Sequence, residues 1–282
     1  MLQKFTSHNI LLPDGTKTQS DTEPLLSESN LWKSVERSVN LFFPISKDER
    51  KNLKVADLGC LEGGYAVEFA RLGFTTIGIE AREENIKKCN YIKEKLNLPL
   101  LSFVKDNVRN IGNYGKFDII LNYGLLYHLD DPFNFLKITY GSMKDNGLLL
   151  IHTHFAAERD IRYAMPFINR HFIAPIQKRT GFFQFTHNYR LSRMTKNEGY
   201  RGRWYREWPA KLSKKEIEKS LWASYDNEKS FWPCKKDLTA ALHDAGFTHV
   251  FEQFDFTGDK IPHNYTYYNS RTMFVASKGF SQ

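Results

Sequence analysis

Val55-Ala56-Asp57-Leu58-Gly59-Cys60-Leu61-Glu62-Gly63-Gly64, with Glu80 closing the next apolar run at Thr75–Glu80, decides the reading of this chain. An apolar strand that breaks into a glycine-rich turn and then a helix presents unpaired backbone N–H groups, with little side chain to keep a ligand away. A carboxylate roughly 20 residues beyond the glycines has the spacing at which both hydroxyl protons of a ribose are accepted.

The acids choose among ribose-bearing ligands. Asp57, Glu62 and Glu80 beside a pyrophosphate would repel it. Leu61 also stands where the dinucleotide pattern G-x-G-x-x-G needs its middle glycine. A cofactor with cationic groups and no phosphate suits these acids. S-adenosylmethionine, with its ammonium and sulfonium, is such a molecule.

Outward from this turn, strands and helices alternate. Strands are expected at 55–58, Thr75–Glu80, Leu101–Lys105, 117–122 and 148–153. Helices are expected at 65–72, Glu83–Leu96 and 132–143, with Asp145-Asn146-Gly147 as a turn before the fifth strand. An N-terminal helix at 31–42, ended by Pro44, packs on the sheet, while residues 1–28 read as irregular. After the insert, a helix at 236–245 stops at Gly246, and strands follow at 250–256 and 272–277. Such alternation argues a parallel sheet covered on both faces, with ligands beyond the carboxyl ends of the strands. Gly59, Glu80, Asp106, Asn122 and His152 all fall at or just after such ends.

The stretch Asp57-x-Gly59-x-Leu61-x-Gly63 resembles the glycine motif of the class I S-adenosylmethionine-dependent methyltransferases, with Leu61 in place of one family glycine. The likeness covers about 51–155 and again 233–277. It implies an α/β, doubly wound, Rossmann-like fold. The sheet would be seven-stranded and mostly parallel, with an antiparallel last strand and an inserted cap. It also implies that Asp57 and Gly59, within the turn of Cys60, Leu61 and Gly63, meet the methionine end of the cofactor. Glu80 and the adjoining Ala81 would meet the ribose. Phe103-Val104-Lys105-Asp106-Asn107-Val108 resembles the adenine segment, with Asp106 accepting from the exocyclic amine, Asn107 beside it and Val108 on the ring. Asn122 and Gly124 would face the methionine amino group.

Three regions follow: residues 1–48 packing on the core, 49–154 and 233–282 as the cofactor-binding domain, and 155–232 as an insert. Between 155 and 232 sixteen Lys and Arg face eight Asp and Glu, an excess equal to the whole chain's net charge of +8. Four of the five tryptophans, Trp204, Trp208, Trp222 and Trp232, lie there too. Ser213-Lys214-Lys215-Glu216 is a capping box opening a helix to about residue 223. Arg201, Arg203, Trp204 and Arg206 mix forked guanidinium groups with rings most densely, and are the expected substrate-binding set. A satellite core with a solvated basic rim, or an oligomer interface, explains the same residues equally well.

The whole chain bounds the rest. Its 282 residues, 41% hydrophobic and 26% charged, can bury a large core. No apolar stretch reaches the roughly 20 residues of a membrane helix, and residues 1–8 lack a signal-peptide core. Cys60, Cys89 and Cys234 are too few and scattered for a disulfide framework or zinc site, so a reduced, cytoplasmic protein without metal is expected. No nucleophile elbow or P-loop is present.

Methyl transfer from a sulfonium needs the acceptor in line with the S–CH3 bond, and a base only where the acceptor has a proton to lose. Tyr127 and His128 after the fourth strand, and His152 and His154 on one face of the fifth, are the catalytic candidates. Against each histidine stands a bland alternative: a loop tie for His128, polar packing for His152 and His154. The expected activity is transfer to an O or N of a small, anionic or aromatic metabolite. The alternative is a tRNA-modifying methyl- or carboxymethyltransferase that binds RNA through the insert. Leu12-Pro13-Asp14-Gly15-Thr16, Gly124-Leu125-Leu126-Tyr127-His128 and Phe231-Trp232-Pro233 are distantly similar to the bacterial enzymes that use carboxy-S-adenosylmethionine on the tRNA wobble uridine. A binding protein that has lost turnover is the non-enzyme reading, resting on Leu61 alone.

Overall fold

In the computed structural model the described residues are 5–158, 171–172, 175–176, 179, 191–208, 212–257 and 271–279. Much of the first half of the expected insert, 159–170 and 180–190, together with 209–211, lies outside them.

The core is a seven-stranded sheet. Its strands are β1 (Lys54–Leu58), β2 (Thr75–Glu80), β3 (Leu101–Lys105), β4 (Phe117–Tyr123), β5 (Met143–His154), β9 (His249–Gln253) and β10 (Arg271–Lys278). They lie in the order β3-β2-β1-β4-β5-β10-β9. The first five are parallel, while β10 runs antiparallel to both β5 and β9. The reversal of order between β1 and β4 opens a crevice at their carboxyl ends, where open sheets of this kind take ligands.

Helices cover both faces. α1 (Asn30–Phe42) opens with Ser29 accepting from the Trp32 N–H and lays Trp32, Val35 and Val39 on the sheet beside Phe69 of α3 (Gly64–Arg71). A one-turn helix, α2 (Lys47–Arg50), leads into β1. α4 (Glu83–Leu96) adds Ile92 to a cluster with Ala66, Val67 and Leu101. On the opposite face α5 (Pro132–Gly141) and α7 (Lys235–Asp244) bury Phe133, Leu136, Leu238 and Leu242. Asp145-Asn146-Gly147 does not precede the fifth strand but lies within it. Asn146 takes a left-handed φ of 61° and the β4–β5 register shifts between Phe117 and Ile119, so the turn residues make an irregularity in a longer strand.

The described part of the insert forms a separate three-stranded antiparallel sheet. It comprises β6 (Thr195–Asn197), β7 (Tyr200–Arg206) and β8 (Lys229–Pro233), with α6 (Lys214–Lys219) between the last two. The capping box at Ser213 and Glu216 forms as the sequence predicts, but α6 ends at Lys219 rather than near residue 223. Phe231 and Trp204 pack into the main core, so this small sheet is seated on the larger one.

Candidate active site

The glycine-rich turn is shaped by backbone needs. Gly59 and Gly63 have φ of 65° and 80°, and Leu61 between them adopts 51°. The leucine therefore holds the left-handed conformation that a glycine takes freely, at a cost of about 1–2 kcal/mol. Its N–H donates to Glu80 Oε2 at 3.0 Å, which keeps it there. Gly63 faces away from the crevice: a Cβ on it would lie 2.6 Å from the Phe103 ring, so the turn can approach β3 only with a glycine.

Beyond this turn lies a cavity of ≈ 310 Å³. Of the residues expected at a cofactor, Asp57, Gly59, Cys60, Leu61, Glu80, Ala81, Asn107, Val108 and Gly124 line it, as do Tyr127, His128 and His152. Gly63, Asp106, Asn122 and His154 are not among the lining residues. Asp106 is engaged within its own segment. Its carboxylate accepts from Tyr114 Oη, Asn110 Nδ2 and the Asn107 N–H, each at 2.7 Å, and so closes the 3₁₀ turn Val108–Tyr114. The Tyr114 and Asn110 bonds hold it below the usual carboxylate range. Glu62 also leaves the set of acids around the ligand: its oxygens accept from the N–H groups of Thr6, Ser7 and His8 and from Lys88 Nζ.

Of the three acids in the opening stretch, Asp57 and Glu80 remain in the cavity wall. Asp57 accepts from the Ala66 N–H in the first turn of α3 at 3.1 Å, and burial pushes its carboxyl up to about 7. The Ala66 bond opposes that rise and Glu80 adds to it. Burial also raises Glu80, against the backbone N–H bonds of Arg82 and Leu61. Both acids are therefore short of positive charge, a condition that a cationic ligand relieves.

Two buried amides point the same way. Oδ1 of Asn85, whose amide lies beside Glu80 in the cavity wall, and Nδ2 of Asn122 have no hydrogen-bond partner among the described residues. Buried polar groups are rarely left so, and a bound ligand or an ordered water would meet them. Asn85 was not singled out from sequence, because nothing in a helical Glu-Glu-Asn-Ile marks a polar residue as inward-facing.

At the β4–β5 end the cavity wall changes character. Nδ1 of His128 lies 3.0 Å from both carboxylate oxygens of Glu207, which is itself buried. Glu207 also accepts from the Ser224 N–H and Ser230 Oγ. With Nδ1 so held, Nε2 is the nitrogen left to act, because none of the described residues bonds it. Burial, helped by Arg271, lowers His152 to about 3, which makes it a poor base. His154 Nε2 accepts from Arg271 Nε at 2.8 Å, and its ring stacks on Trp232 at 4.4 Å. Tyr127, pushed up by burial, sits under the Arg271 guanidinium, whose carbon is 5.7 Å from the ring centroid. Arg271 lines the cavity and donates to His154 Nε2 and Tyr127 Oη.

The arginines chosen from the insert lie elsewhere. Arg201 pairs with Asp237 and Glu158, and the buried Arg203 donates to the carbonyls of Ala157 and Ser192. Trp204 packs on Phe231, and Arg206 is exposed at the end of β7. None of the four lines the cavity; the described insert residues that do are 221–226. Among the described residues no group of three His, Cys, Asp or Glu is placed to hold a metal ion, and no helix is long and apolar enough to cross a membrane.

A family model described as a methyltransferase domain matches residues 29–252, so the chain belongs to the methyltransferase-domain family, within the class I S-adenosylmethionine-dependent superfamily. The chain is 33% identical over 112 residues to the ubiquinone biosynthesis O-methyltransferase of Bartonella tribocorum, covering 39% of this chain and 44% of that protein. It is 31% identical over 103 residues to the enzyme of the same name from Pelagibacter ubique. The alignments thus span less than half the length of these curated relatives. Among solved structures the N-terminal domain of EvdMO1 with SAH bound superposes with a TM-score of 0.61 at 20% identity, covering 93% of this chain and 86% of that one. An S-adenosylmethionine-dependent methyltransferase from Clostridium acetobutylicum gives 0.52 at 10% identity. At these identities the likeness is one of fold.

Proposed function

We propose that this chain moves a methyl group from S-adenosylmethionine to an oxygen of a small anionic or aromatic acceptor. The observation that carries the reading is the His128–Glu207 pair in the wall of a cavity whose other end holds Asp57 and Glu80. When bound, the cofactor supplies an activated methyl and a good leaving group. Asp57 and the turn at Gly59 would hold its cationic end, Glu80 its ribose hydroxyls, and Asn107 and Val108 its base. His128, kept in one orientation by Glu207, would take the proton that a hydroxyl acceptor loses. A nitrogen acceptor that carries no proton would not need this pair, which favours oxygen. The name of the curated relatives, O-methyltransferases, supports the same choice.

Arg271 supports an anionic acceptor. A guanidinium whose bonds among the described residues go to an imidazole nitrogen and a phenol oxygen rather than to a carboxylate, beside a cationic donor, is electrostatically unfavourable until an anion joins them. Of the arginines expected to bind substrate, Arg201 and Arg203 are engaged within the protein and lend the RNA reading no support. Labelled methyl supplied on the cofactor should appear in a small-metabolite fraction carrying phenol or carboxylate groups. Label confined to RNA would overturn the reading, and label in no fraction would leave only cofactor binding.

The raised Asp57 carboxyl makes the affinity for the cofactor depend on pH. With its value near 7, the group is mostly protonated at pH 6 and must release that proton to meet a cation. Binding should therefore be about tenfold tighter at pH 8 than at pH 6, weakening as pH falls through 7. Calorimetric titration of Asp57→Asn, which has no proton to lose there, separates this effect from ionisation of the ligand itself. A profile of equal slope in both proteins removes Asp57 from the cation's site.

A further inference from the structure

Arg82 follows the ribose-side acid by two residues, yet its side chain turns away from Glu80 toward the insert. Its backbone N–H donates to Glu80 Oε1 at 2.8 Å. The guanidinium is buried, donating to the carbonyls of Ile217, Ala223 (2.6 Å) and Ser224 (3.3 Å), with its carbon 5.2 Å from the Tyr225 ring centroid. One step along α4, Glu218 accepts from the N–H of Glu83 at 2.6 Å, capping the start of that helix with insert charge. On the other side of the cavity, Asp226 accepts from Asn107 Nδ2 and Arg109 Nη1, both at 2.9 Å. Between these clips the strap 217–226 runs across the cofactor end of the cavity, and its Ser224 N–H donates to Glu207 at 3.0 Å.

We propose that Arg82 is a positioning residue that clips this strap over the cofactor. The clipped strap must release before the cofactor or its product can exchange, and while closed it fixes Glu207 and, through it, His128. Three carbonyls at one guanidinium suit a planar fork of donors, and an ammonium cannot span them. The clip joins the donor site to the acceptor site through one side chain. This inference rests on the cofactor site proposed above.

The full-length chain tests it. In Arg82→Ala the dissociation rate of S-adenosylhomocysteine, followed by stopped-flow fluorescence, should rise by about tenfold or more, the loss of one charge-assisted hydrogen bond. The association rate should change much less, and Arg82→Lys should fall between Ala and the parent. Glu218→Ala removes the second clip without emptying the buried site and should raise the same rate, which covers the case of an Arg82 variant that does not fold. Hydrogen exchange without any cofactor supplies an independent readout: amides of 217–226 should exchange faster in either variant, while those of β4 stay protected. Equal exchange across 217–226 in folded variants, or a slowed association with unchanged dissociation, overturns the clip. A parent that binds no S-adenosylhomocysteine overturns the cofactor reading instead, and the exchange result then decides the clip alone.

Discussion

Replacing His128 by Ala is expected to lower kcat for a hydroxyl acceptor by about 10²–10⁴-fold, the range for loss of a positioned general base. Affinity for S-adenosylmethionine should stay within a factor of a few, because the partners proposed for the cofactor stand at the ends of β1, β2 and β3. The expectation singles out His128 for physical reasons. His152 is lowered to about 3 by burial and cannot draw a proton from a phenol effectively. The His154 Nε2 is occupied by Arg271, and Tyr127 is buried and raised, so neither offers a free basic atom. Glu207→Gln keeps the shape but removes the anion that stabilises a protonated imidazole. Its loss in kcat should be smaller than that of His128→Ala, and the double variant should be little worse than His128→Ala alone, since the pair acts as a unit. Turnover of labelled methyl under saturating cofactor checks both. A His128→Ala enzyme that keeps kcat within threefold of the parent would falsify the base assignment.

Lys88→Met should cost about 3–5 kcal/mol of stability, the scale for breaking a buried ion pair from one side. Lys88 Nζ lies 2.6 Å from Glu62 Oε1, with side chains 2% and 0% exposed. Burial tends to raise the Glu62 carboxyl, but Lys88 and the N–H groups of His8, Thr6 and Ser7 outweigh it, and the group is held below its ordinary value. A carboxyl depressed on folding contributes stability above its unfolded value, and that contribution is lost as pH falls through the folded one. Methionine in place of Lys88 leaves the carboxylate buried with only uncharged donors, three backbone N–H groups and the Thr6 hydroxyl. The loss should therefore be large at pH 7 and shrink in acid. Adding Glu62→Gln should recover part of it, because no unpaired charge then remains. Urea unfolding at pH 7 and pH 4 is the measurement. An unfolding midpoint shared with the parent at pH 7 would mean that the pair contributes nothing.

Much of the domain was legible because periodicity survives wherever a strand or helix buries one face. Thr75–Glu80, Glu83–Leu96 and Leu101–Lys105 fall where the residues predict them. The Asn146-Gly147 turn misled because a bulge and a chain reversal use the same left-handed residues. β7 stayed hidden because Gly202, which a strand pattern disfavours, is needed there: a Cβ would lie 2.3 Å from the Trp232 carbonyl oxygen.

For the site, Asp57, Gly59 and Glu80 could be read because their positions are fixed relative to one strand–turn–helix unit. Glu207, Arg82 and Arg271 could not, since Glu207 meets His128 across 79 residues of chain, the Arg82 guanidinium meets Ile217 across 135 and Arg271 meets His154 across 117, and local pattern carries no such information. Composition pointed to the arginines of 201–206. Yet an exposed cation and one paired inside the fold look alike in a sequence, as Arg206 and Arg203 show.

The base of the insert has a consequence for how such proteins diversify. The Ala156 N–H donates to the Pro233 carbonyl at 2.8 Å, and Ala156 bridges Cys234, so the chain leaves the core and returns to it at adjoining points. A segment that leaves and re-enters at one place can be exchanged only if its replacement also fills the core positions of Trp204 and Phe231. Compatibility would not be free. An incoming cassette must bring an acid for His128 and carbonyls for Arg82, so those few contacts are the grammar that decides which grafts would work.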